Sequence, residues 1–331
     1  MADEALDPRE TLLHPRHRQR ILGHDAERKQ FEHAFEAGTP HHAWLISGPA
    51  GIGKASLSYA LAKLVLSAGA DPARTASWLA VRSHPDFHVL ELAVVDAKTG
   101  RLKSEISVDD VHAFVGSFGR TSGQGGWRVG LVDSADDLNR EGANALLKLV
   151  EEPPPRSLIF IVNHEPGRLL RTLASRCRRL PLKPLTADLV EEVLLALPVE
   201  QKASDESLRN AAALSRGSPG RALELLESAG AQAFRAMIAA PRIDPVLRSN
   251  IGGFFSNRAT LNADYHVFID LAIGWAADHA LSQPASRAGL AFAELSGELS
   301  QRRREVEGYN LDRRTAVLEA LTSIGNALKA A

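Results

Sequence analysis

Apolar positions along the chain change their period near residue 186, and the change separates two kinds of structure. Before it they fall in short unbroken runs: Ala43-Trp44-Leu45-Ile46, the centre of Trp127–Asp133, and Leu158-Ile159-Phe160-Ile161-Val162. A run with no polar face suits a strand buried on both sides of a parallel sheet. Asp86–Glu91 alternates and predicts a shorter strand. Between the runs the period lengthens to that of a helix, with Phe31, Ala34 and Phe35, then Leu57 to Leu66, then Val111, Phe114, Val115 and Phe118, then Ala143, Leu147 and Val150. Asp25, Ser107 and Asn139 stand where helix caps are needed, and Gly38, Pro40 and the run Pro153-Pro154-Pro155 stand where helices must stop. Strand alternating with helix predicts a parallel sheet wrapped by helices.

From Thr186 onward the strand signal disappears. Leu189, Val193 and Leu194 share a helix face, Thr186 and Ser204 read as caps, and Gly217-Ser218-Pro219-Gly220 interrupts the helices before Arg221–Leu226. Ala239–Pro245 reads as a linker. Beyond it, Phe268, Leu271, Ala272 and Trp275 mark one helix face, and Val317, Leu321, Ile324 and Leu328 mark another. Three stretches read as irregular: the proline-bearing arm of residues 1–20 with its cluster His14-Pro15-Arg16-His17-Arg18-Gln19-Arg20, the segment Ala68–Pro85, and the flexible, four-glycine loop Gly119–Gly126. The arm's basic side can touch phosphate, but a solvated leader is the simpler reading.

Composition narrows this picture. At 331 residues the chain is long enough for two or three domains with real cores, and 44% apolar with 24% charged residues at a net charge of −1 gives no global bias toward nucleic acid. Apolar runs fall short of the roughly 20 residues of a membrane span. The acidic start Met1–Glu10 lacks a signal-peptide pattern, so a cytoplasmic protein without a membrane partner is expected. One cysteine, Cys177, leaves no internal disulfide and no multi-cysteine metal site, and it reads as a small buried apolar residue. His84 and His88 are four apart, but Pro85 between them disfavours the helix that would make them a metal pair.

One stretch carries chemistry. Gly48-Pro49-Ala50-Gly51-Ile52-Gly53-Lys54-Ala55-Ser56 joins the first strand to a helix, which is a phosphate loop: Gly48, Gly51 and Gly53 let amide groups turn around a phosphate, and Lys54 can reach the outer phosphates. The loop asks for a hydroxyl directly after the lysine to hold Mg²⁺. Ala55 has none, and Ser56 is one residue late, about 100° round the helix. Asp133, at a strand end, can hold Mg²⁺ through water. The basic trio Arg302-Arg303-Arg304 reads as a solvated helix face offset by Glu305 and Glu307.

The phosphate loop, the carboxylate-ended strand, Asn144-Ala145-Leu146-Leu147-Lys148 running into Glu151-Glu152-Pro153-Pro154, and Ser175-Arg176-Cys177 together resemble the bacterial clamp-loader ATPases of the AAA+ class over roughly residues 20 to 226. The resemblance implies an α/β AAA+ phosphate-loop domain (21–183) after the arm (1–20), a small helical lid (184–238) and an all-α collar that assembles with other subunits (246–331). It implies that Arg176 is an arginine finger acting on a neighbouring subunit's ATP, that Asn163 occupies the position sensing the γ-phosphate, and that Arg221 occupies the lid position closing on nucleotide. Active members follow the strand-end Asp with a Glu that polarises water, whereas Asp133 is followed by Ser134-Ala135-Asp136. With Ala55, that departure implies a stator-like subunit that holds ATP or ADP, if at all, without efficient hydrolysis. A motor subunit that turns over ATP is the alternative, and an unrelated phosphate-loop regulator a more distant one. The partners so implied are ATPase motor subunits, a clamp-opening subunit and, through them, the sliding clamp and primed DNA. Residues 64–90 lack the four cysteines of the family's zinc module, so no zinc is expected.

Overall fold

The computed structural model describes residues 13–18, 20–96, 101–119, 121–165, 167, 169–197, 205–240, 242–258, 260–284 and 286–330. The expected cap Ser204 and the acidic start of the chain lie outside them. The chain divides into two compact units, one of residues 1–202 with 216–220 and one of residues 203–215 with 221–331.

The first unit runs α1 (Asp25–Glu36), β1 (Ala43–Ser47), α2 (Lys54–Leu66), α3 (Pro72–Ala80), β2 (Phe87–Glu91), β3 (Val94–Asp96), β4 (Arg101–Leu102), α4 (Val108–Phe118), β5 (Arg128–Asp133), α5 (Arg140–Glu151), β6 (Ser157–Asn163), α6 (Arg171–Ala174), β7 (Arg178–Pro181) and α7 (Ala187–Leu195). Five strands form one parallel sheet in the order β2-β5-β6-β1-β7, while β3 and β4 pair antiparallel beside it. Because side chains alternate along a strand, each central strand feeds two cores. Trp44, Ile46, Leu131, Phe160 and Val162 pack with Phe31, Leu57, Leu61 and Val65 on one face. Leu45, Val132, Ile159 and Ile161 pack with Val111, Phe114, Phe118, Leu146 and Val150 on the other. The doubly covered sheet is the expected one.

Local chemistry sets the boundaries. Ser107 and Asp110 form a reciprocal capping box at α4, and the Asn139 side chain accepts from Gly142 N to cap α5. Asp25 does not cap α1, contrary to expectation: His24 holds the cap position in left-handed backbone (φ 57°), and Asp25 sits inside the first turn, where its charge meets the positive helix end. Segment 68–85 is not wholly irregular, since Asp71 caps α3 with Pro72 at its first position. Pro15–His17 is a short 3-10 turn packed on α2 and α3 rather than an extended arm, with Arg16 buried and its Nε donating to His17 Nε2. The glycine loop 119–126 is clasped: the buried carboxylate of Asp86 accepts from Ser122 Oγ (3.0 Å), Gly123 N (2.7 Å) and Gln124 N (3.0 Å).

The second unit is helical, with α8 (Asp205–Leu214), α9 (Pro219–Glu227, entering it at Arg221), α10 (Ala229–Ala239), α11 (Pro245–Phe254), α12 (Leu261–Ser282), α13 (Arg287–Tyr309) and α14 (Arg313–Ala330). Phe268, Leu271 and Ala272 are buried as expected, as are Val317, Leu321 and Ile324, but Leu328 is 40% exposed. Arg302 and Arg303 are not simply solvated: Arg302 pairs with Glu298 and Glu319, and Arg303 with Asp270 and Glu307, bracing α13 against α12 and α14. Among the described residues no helix is long and apolar enough to cross a membrane.

Candidate functional site

Parallel pairing brings the ends of β2, β5, β6, β1 and β7 to one edge of the sheet, with Glu91 opposite Asp133 and Ser47 between Asn163 and Pro181. The phosphate loop leaves β1 at this edge. Its three glycines take φ of +148°, +72° and +102° at 48, 51 and 53, conformations that residues with a Cβ rarely adopt. All five carbonyls from Gly48 to Ile52 are held. Lys54 Nζ donates to Gly48 O (2.7 Å) and to Pro49 O, Ser218 Oγ donates to Ala50 O (3.0 Å), Gly220 N donates to Gly51 O (2.9 Å), and His24 Nε2–H donates to Ile52 O (2.8 Å). The approach at Gly220 is so close that a Cβ there would lie 2.9 Å from Gly51 Cα. With its carbonyls turned to these donors, the loop holds the glycine turn expected of a phosphate loop. Lys54 is buried at 3% exposure; burial pushes its ammonium down to about 8, while Asp133 and Asp136 pull it back up.

The carboxylates beside the loop are differently spent. Burial pushes the Asp133 carboxyl up to about 6, with Glu91 adding to the shift and Lys54 opposing it. Ser134, where active relatives of the clamp-loader class need a base, is buried and donates to Asp137 Oδ2 (2.9 Å). Asp136 lies on the short 3-10 turn after β5 and is an anchor: it accepts from Asn163 Nδ2 (2.8 Å), His164 N (2.6 Å) and Glu165 N (2.9 Å). Asn163 is 1% exposed and commits its amide to Asp136 and to Glu165 O (3.1 Å). Ala55 and Ser56 sit in the first turn of α2, with no hydroxyl directly after Lys54.

Arg176 lies at the opposite edge. Arg178 pairs with Trp44 at the start of β1, so Arg176 precedes the sheet, whereas Gly48 follows it. Four strand positions separate the levels of Arg178 and Gly48, about 13 Å at ~3.3 Å per residue, and Arg176 lies two residues before Arg178. Arg176 follows α6 and is 43% exposed, with Nε on Glu151 Oε1 at 2.8 Å and Nη1 on Thr172 O at 3.0 Å. Its neighbour Cys177 is buried, donates to Leu173 O (3.2 Å) and has its thiol pushed up to about 12 by burial, as befits a packing residue. Arg221 is the third residue of α9, in the second unit.

His84 and His88 serve packing, His84 accepting from Asp86 N and meeting Trp78, and His88 meeting Phe118. Among the described residues no group of three or more His, Cys, Asp and Glu is placed to hold a metal. Four residues of these two edges carried no sequence signal as site members: His24, Ser218, Gly220 and Glu151. The glycine-proline cluster at 217–220 marked a chain break, and only tertiary contact reveals that it docks on the loop.

Residues 23–186 match the family described as DNA polymerase III, delta subunit. DNA polymerase III subunit delta' of Pseudomonas aeruginosa is 38% identical over 205 residues, 60% of this chain and 59% of that one. Subunit delta' of Escherichia coli K12 is 34% identical over 206 residues, with the same shares. Subunit tau of Escherichia coli K12 is 28% identical over 215 residues, 63% of this chain and 32% of that one. The match thus spans 59% of the length of the two delta' relatives.

Proposed function

This chain belongs to the DNA polymerase III delta-subunit family, and on that premise we propose that it is a stator-like clamp-loader subunit of the delta' type. It hydrolyses no ATP itself and lends Arg176 to the ATP site of a neighbouring motor subunit. One observation carries this reading: the exposed Arg176 and the chain's own phosphate loop stand at opposite edges of one sheet, so the arginine serves a nucleotide that belongs to another chain. The loop's own chemistry agrees, because the metal hydroxyl and the water-polarising carboxylate are replaced by Ala55 and a buried Ser134. The partners on this reading are gamma/tau-type ATPase subunits and a clamp-opening delta subunit in the cytoplasm, with residues 246–331 as the assembly region. Through them the chain acts on the sliding clamp and primed DNA.

The loop's residues still fit a phosphate. The glycine turn supplies amide donors and Lys54 a cation once it leaves its carbonyls, so ADP or ATP binds weakly and with little Mg²⁺ dependence. No zinc is expected, because residues 64–90 carry no cysteine. The test is to rebuild the complex with Arg176→Ala and measure DNA-stimulated ATPase and clamp loading at unchanged stoichiometry. A finger is worth about 10³ to 10⁵ in rate at the site it serves, and a complex with other intact sites loses less overall. Arg176→Lys should rescue poorly, because a point charge cannot reproduce the planar fork. Wild-type rates with Arg176→Ala would refute the assignment.

A further inference from the structure

Glu151 is the last residue of α5, where the helix's carbonyl end disfavours a negative charge. Glu152 and Pro153-Pro154-Pro155 follow, and their fixed backbone leaves α5 no freedom to lengthen. What the glutamate gains at this costly position is Arg176: its Oε1 accepts from Nε at 2.8 Å, while the Thr172 carbonyl accepts from Nη1 at 3.0 Å. Two points of contact, one on the α5 end and one on α6, fix the plane of the guanidinium. Both side chains remain over 40% exposed, and the Nη2 edge has no partner among the described residues. We propose that Glu151 is the positioning residue of the finger: it sets the fork in its outward orientation before a neighbouring chain's γ-phosphate arrives, so that little side-chain freedom is lost at the moment of reaction.

This inference rests on the reading that Arg176 acts in trans. Its test uses the rebuilt complex, with kcat and KM for ATP measured on primed DNA. Glu151→Ala should lower kcat by up to about 5-fold, the range of an exposed ion pair, with KM unchanged. Glu151→Gln keeps an oxygen that accepts from Nε and should retain most of the rate. Glu152→Ala removes the same charge one residue on and should leave the rate at wild type. In an Arg176→Ala background Glu151→Ala should cost nothing more, since there is no fork left to position. A wild-type or faster rate for Glu151→Ala beside a slow Arg176→Ala would overturn the inference while leaving the finger standing, a faster rate meaning that the glutamate parks the arginine. A further loss in the double variant would also overturn it. Wild-type rates for Arg176→Ala would instead remove the finger itself, and the inference with it.

Discussion

The two edges of the sheet carry the same kinds of group to different ends. At the edge where β1, β5 and β6 finish, Lys54, Asp136, Asn163 and Ser134 are buried or half-buried and each is bonded to the protein's own backbone or side chains. At the other edge Arg176 is held by two contacts, stays exposed and keeps a donor edge open. Buried polar groups must be satisfied internally, and once satisfied they act as architecture. A charged group that is oriented yet left in water retains its donors for another molecule. On the function proposed above, the contrast separates groups bonded within the chain from one held out toward a neighbour.

The largest expected effect tests the exposed edge: Arg176→Ala should slow the rebuilt complex, whereas Lys54→Ala should leave its ATPase within about 2-fold of wild type if, as proposed, the hydrolysed nucleotide is a neighbour's. Equal losses would make the loop a working ATP site. Next, Asp136→Ala leaves Asn163, His164 N and Glu165 N without their acceptor, and denaturant unfolding should show a loss of about 1–3 kcal/mol, as for several bonds to a half-buried charge. No change would mean that water replaces the carboxylate. Gly220→Ala drives a Cβ into Gly51 and should cost about 1–3 kcal/mol while weakening any ADP affinity seen by calorimetry. The last effect is a slope. The folded Asp133 carboxyl titrates near 6 against an ordinary 3.8, so the folded state binds more protons across that window and stability falls as pH rises through it. Asp133→Asn should flatten that part of the curve, and an unchanged slope would assign the titration elsewhere.

The sheet was legible because unbroken apolar runs of β1 and β6 have no other comfortable environment than one covered on both faces. The glycine turn between β1 and α2 was legible as a local motif. What escaped was the work of short polar residues at long range. Asp25 looked like a cap by identity, but His24 takes the left-handed position and spends its ring on Ile52 O. Ser218 and Gly220 read as a break because nothing near them in sequence names the carbonyls 168 and more residues away that they meet. Arg302 and Arg303 read as solvated because their i,i+4 glutamates are visible in sequence, while Asp270 and Glu319 on other helices are not. The Ala68–Pro85 stretch hid α3, although Asp71-Pro72 is a helix start and Thr75 and Leu79 share its buried face.

The clasp at Asp86 bears on how the chain survives in a cell full of proteases. A segment with four glycines in eight residues is the sort of tether that a protease nicks, because loop tips of small and polar residues extend readily into its cleft. Here one carboxylate gathers three donors from Ser122, Gly123 and Gln124, so the peptide bonds there are presented bent and already occupied. Scission then waits for the clasp to open, and the lifetime of the intact chain is governed by a local opening equilibrium and not by the composition of the tether.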